Sequence, residues 1–83
     1  MDSTQKAVAQ AIRIERVRQG FASEADLARK AGLSPSALSK RLVGDLRMDL
    51  GDVDQIAEAL GVDPFDLMAT AHAEALRETG SAA

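Results

Sequence analysis

Eighty-three residues make one small domain, and a chain of this size buries only about 60–65% of its unfolded surface, so its core is small. It has no cysteine and no His, Asp and Glu at metal-ligand spacing, which excludes disulfides and a zinc cage and leaves packed helices to supply stability. Hydrophobic residues reach 46%, chiefly Ala, Leu and Val, with two Phe and no Trp or Tyr, a composition better suited to close helix packing than to a sheet.

The net charge of −3, taken as a total, argues against a polyanionic partner. Its distribution argues otherwise. Residues 1–48 hold nine basic side chains against five acidic ones, a net +4, whereas residues 49–83 oppose eight carboxylates with Arg77 alone, a net −7. The N-terminal half can therefore approach a phosphate backbone while the acidic half faces away; chance imbalance on solvated helix faces is the alternative. No apolar run approaches the roughly 20 residues needed to span a bilayer. The opening stretch MDSTQKAVAQ lacks a basic region followed by a hydrophobic one, so a soluble, cytoplasmic protein without membrane contact is expected.

Five helices are predicted, with short connections. The first runs from about Thr4 to Gln19 on Val8, Ala11, Ile12 and Ile14 and stops at Gly20. Ser23, with Asp26 three residues on, approximates a capping box and opens a short second helix to about Ala31, with Leu27, Ala28 and Ala31 inward. Gly32 provides a tight turn. Ser34 caps and Pro35 begins the third helix, with Leu33 and Leu38 as a hydrophobic staple, and Gly44 ends it after Val43. Asp49 caps the fourth, whose stripe is Leu50, Val53, Ile56, Ala57 and Leu60 before Gly61. The fifth starts at Asp63-Pro64 and runs to about Glu78, with Phe65, Met68, His72, Ala75 and Leu76 as its apolar side. Residues 1–78 thus form one all-α domain, and the tail 79–83 is expected to fray.

The informative unit is SEADLARKAGLSPSALSKRLV, residues 23–43: two short helices joined by a glycine turn, with Ala28 small enough to let them cross closely, which is the helix-turn-helix plan. Residues 12–42, IRIERVRQGFASEADLARKAGLSPSALSKRL, followed by IAEALGVDPFDLM, resemble the lambda-repressor and Cro-like family, also called the XRE family, over roughly residues 8–68. That resemblance implies a compact five-helix bundle, prokaryotic or phage-encoded, whose third helix lies in the DNA major groove while the second crosses over the backbone.

Helical geometry of the third helix agrees. Leu38 and Leu42 point one way, and Ser36, Lys40 and Val43 the other, with Ala37 and Ser39 flanking. Lys40 suits guanine O6 and N7, the serines accept or donate, and Ala37 and Val43 can meet a thymine methyl, while Pro35 stiffens the leading turn. Ser23, Arg29, Lys30, Arg41 and Arg47 are the expected phosphate contacts, which set register more than sequence preference. Surface Arg and Lys also serve solubility alone, and that reading stays open for each. Arg16 matches a family position that ties the first helix to the bundle through a salt bridge.

Two positions depart from the family. Glu24 stands where relatives commonly carry a glutamine that contacts phosphate, although its place in the first helical turn favours a carboxylate. Leu42 stands where many relatives carry glutamate. His72 has no second ligand or nucleophile beside it and is expected to be packing. No glycine-rich phosphate loop or HExxH motif is present, so no enzyme activity and no cofactor are expected. Without Trp and Tyr, single-stranded nucleic acid is a poor partner.

The expected function is a small repressor-like or Cro-like regulator binding a double-stranded operator as a homodimer, with Phe65, Met68, Ala75 and Leu76 of the fifth helix as the dimer surface. The rival is a protein-interaction module, such as an antitoxin or antirepressor subunit, supported by the net acidity and Glu24.

Overall fold

The second to fifth helices begin where a side chain or a proline can replace the backbone bonds that the first turn lacks. The computed structural model describes residues 3–78; the tail expected to fray, 79–83, lies outside them. Its helices are α1 (Ser3–Arg18), α2 (Glu24–Lys30), α3 (Pro35–Val43), α4 (Leu50–Leu60) and α5 (Pro64–Glu78), with no strand among the described residues. Asp49 and Asp52 form a full reciprocal capping box at the start of α4. The Ser23–Asp26 box is half made: Ser23 Oγ accepts the Asp26 N–H at 3.1 Å, but the Asp26 carboxylate takes Arg29 at 2.7 Å. Gly20, Gly32, Gly44 and Gly61 carry the positive φ angles that end four segments.

The core is a single cluster built from all five helices, with Ile12, Leu27, Leu38, Leu42, Ile56 and Leu67 as its largest fully buried side chains. The α1 and α5 helices pack most extensively on each other, and α2 packs on α3. The alanines of α1, at positions 7, 9 and 11, are buried and let its axis lie close to α5.

Three sequence expectations need correction. On α5 the inward residues are Leu67, Ala71 and Glu74, so the helix is turned relative to the expected face. Phe65 is 83% exposed and Leu76 is also exposed, while Met68 and Ala75 half-pack on the core; the expected dimer surface is therefore split. Glu74 is buried, with its carboxylate held by Arg77 at 3.1 Å, and so broke the apolar pattern. His72 is exposed, not packing. Leu50, counted in the α4 stripe, is 79% exposed, because the first residue of α4 projects past the core edge. No described helix is long and apolar enough to cross a membrane.

Candidate nucleic-acid interface

The local sequence fixes α3 at both ends. Ser34, in extended backbone, accepts the Ala37 N–H on its Oγ at 3.0 Å, and Pro35 fills the first helical position, where no N–H is needed. At the other end Gly44 adopts φ 93°. The N–H groups of Gly44, Asp45 and Leu46 all turn back to the Lys40 carbonyl, the last two at 2.9 and 3.1 Å. The Lys40 backbone is thus immobilised while its side chain is exposed.

Leu38 and Leu42 are fully buried beneath this helix. Above them Pro35, Ser36, Ser39, Lys40 and Val43 are exposed, and Ala37 is half-buried. The Ala37 N–H goes to Ser34 and its carbonyl to Arg41 Nη1 at 3.0 Å, so its methyl is what it can offer a ligand. No Asp or Glu lies within α3. The outward face is small, hydroxyl-bearing and cationic, and nothing on it obstructs or repels a base edge in a major groove.

The turn before α3 is clamped from outside the motif. Leu33 N–H bonds the Ala28 carbonyl at 2.8 Å, and Gln55 of α4 donates its side-chain N–H to the Ala31 carbonyl. Gln55 fixes the angle between α2 and α3, and sequence reasoning missed it. Its partner is a backbone carbonyl 24 residues away, which no side-chain pattern discloses.

The cations expected to meet phosphate divide into two groups. Lys30 and Arg47 are exposed, with no ion-pair partner among the described residues. Arg29 is also exposed and pairs with Asp26 at 2.7 Å, a surface bond worth about 0–1 kcal/mol that a phosphate can displace. Ser23 uses its oxygen as a cap acceptor and keeps its O–H proton to donate. Arg41 is the exception, being held within the protein. Its Nε lies 3.2 Å from Asp52 Oδ2, with side chains only 20% and 14% exposed, and its Nη1 donates to Ala37. That Nε is close to the carboxylate without hydrogen-bond alignment, so the attraction is mainly Coulombic. Arg41 thus joins α3 to α4, and a phosphate would have to compete with Asp52 for it.

Arg16 on α1 and Glu24 at the start of α2 also differ from expectation. Arg16 holds the first turn, as its family position implies, by donating to the Phe21 carbonyl at 2.7 Å, not through a salt bridge. Glu24 meets Arg13 at 3.3 Å, both about 40% exposed, so its charge is partly neutralised within the protein. Among the described residues no group of His, Asp and Glu is arranged to hold a metal.

A family model for the Cro/C1-type helix-turn-helix DNA-binding domain matches residues 12–71. The chain belongs to that family. The match spans α2 and α3 and all of α4, so it covers both the motif and the helix that clamps it. Among solved structures, the chain is similar to the hypothetical transcription factor NHTF from Neisseria, at 28% identity and a TM-score of 0.71, over 82% of this chain and 79% of that one. Comparison with curated proteins returns no match.

Proposed function

We propose that this Cro/C1-type chain is a small repressor-like regulator that reads a duplex operator with α3 in the major groove. One observation carries the reading: an exposed, carboxylate-free face of Ser36, Ser39, Lys40 and Val43 stands over the buried Leu38 and Leu42. Lys40 reaches guanine O6 and N7, Ser36 and Ser39 bond base edges, and Ala37 and Val43 meet thymine methyls, with Pro35 stiffening the approach. Ser23, Arg29, Lys30 and Arg47 set the register on phosphates. One short helix reads too few base pairs to be selective, so two copies bind half-sites about 34 Å apart. The protein acts in the cytoplasm of a prokaryotic cell or its phage-infected counterpart.

Selection from random duplexes followed by an anisotropy titration tests this. Lys40→Glu should weaken binding to the selected duplex by at least tenfold, while unchanged binding removes Lys40 from the interface. A protein-interaction module is the second reading, favoured by Phe65 standing exposed between Asp63 and Asp66. Salt separates the two, because affinity for duplex falls steeply as ionic strength rises and an apolar protein contact does not.

A further inference from the structure

The connection between α3 and α4 closes one side of a groove of about 310 Å³ that α1, α4 and α5 complete. Its floor is apolar, made by Val8, Met48, Val53 and Met68. Leu50 stands at its edge, 79% exposed, and Leu46 nearby in the chain is exposed too. Two charges of opposite sign, Arg47 and Asp49, line the same groove. Asp49 gives its Oδ1 to the Asp52 N–H, and its Oδ2 has no hydrogen bond among the described residues.

We infer that a second copy of this chain occupies the groove about a two-fold axis. Leu50 of each copy enters the groove of the other, and Arg47 of each faces Asp49 of the other. The inference rests on the homodimer named in the proposed function and gives that dimer its surface.

A two-fold contact places residue i on j and j on i, so the patch must complement itself. This groove does so in shape, having a protruding leucine beside an apolar recess, and in charge, having one cation and one anion two residues apart. The outer face of α5 does not. There Phe65 lies between Asp63 and Asp66 in the half of the chain that carries a net −7, so two-fold pairing would set carboxylates against carboxylates. Reciprocal pairing of Arg47 and Asp49 puts the axis beside Met48, next to the α3 surface. Arg47 then stands where the two copies meet the DNA. Its five donors allow one guanidinium to serve the second copy's carboxylate and a phosphate together.

Sedimentation velocity on the full chain, across a concentration series, tests the inference with Leu50→Glu and Phe65→Ser. Glutamate suits the first turn of a helix, so Leu50→Glu should keep the wild-type helical circular dichroism and a cooperative melt. The expected result is self-association weakened at least tenfold by Leu50→Glu and unchanged by Phe65→Ser. Wild-type association by the Leu50→Glu chain overturns the inference. Dissociation by Phe65→Ser alone also overturns it and moves the seam to α5, leaving the homodimer intact. A wild-type chain that stays monomeric, both free and on its selected duplex, overturns the homodimer as well, while retained duplex binding preserves the DNA-reading function.

Discussion

The Arg41–Asp52 pair decides whether Arg41 is a structural tie or a phosphate arm, and Asp52→Asn separates the two. The substitution keeps an amide oxygen where Asp52 Oδ2 accepts the Asp49 N–H, so the helix cap survives while the charge facing Arg41 disappears. At the observed 3.2 Å, Coulomb's law with an effective dielectric of about 20 gives roughly 5 kcal/mol of gross attraction. Desolvation of both groups offsets much of this. Removing one partner of a fully buried pair costs about 3–5 kcal/mol, and the residual exposure of 14–20% brings the expected loss to about 2 kcal/mol. For a domain of this size that lowers Tm by roughly 10 °C, which thermal circular dichroism resolves. A Tm within about 2 °C of wild type refutes the ion-pair argument. The DNA side is read with Arg41→Ala at a temperature where it stays folded: the slope of log affinity against log salt should match wild type. A slope smaller by about 1 returns Arg41 to the phosphate contacts.

Glu24→Gln removes a carboxylate from the expected phosphate path and frees Arg13. Duplex affinity should rise about 2–5-fold, the scale of one surface ion pair, and the salt slope should steepen; an anisotropy titration at two salt concentrations reads both. Gly32→Ala places a Cβ at φ 76°, only 3.6 Å from Gln55 Nε2, so it meets ordinary contact but a strained backbone. The expected loss is about 1–2 kcal/mol, measured by urea unfolding, and an unchanged midpoint would show that the turn relaxes.

Helix boundaries were legible because caps act locally. Ser34-Pro35, Asp49 and the glycines at 20, 32, 44 and 61 mark element ends through bonds spanning three or four residues, and the structure keeps them there. The inner and outer faces of α3 were legible for a similar reason, since Leu38 and Leu42 are its only leucines and lie one turn apart. Legibility failed where tertiary contacts outweigh pattern. Glu74 sits inside with its charge held by Arg77, whereas Phe65, the second residue of α5, sits outside. Arg41 looks like any basic residue on a recognition helix. Only the approach of α4 brings Asp52 beside it, and the same approach brings Gln55 to the turn.

The central claim is that the Ser36–Lys40–Val43 side of α3 enters the major groove. Isotope-edited NMR of the chain on its selected duplex tests it directly. Intermolecular NOEs should link the side chains of Lys40 and Val43 to major-groove base protons, with the largest amide shifts between Ser36 and Val43. Shifts centred on α5, with the α3 amides unmoved at saturation, would contradict the account.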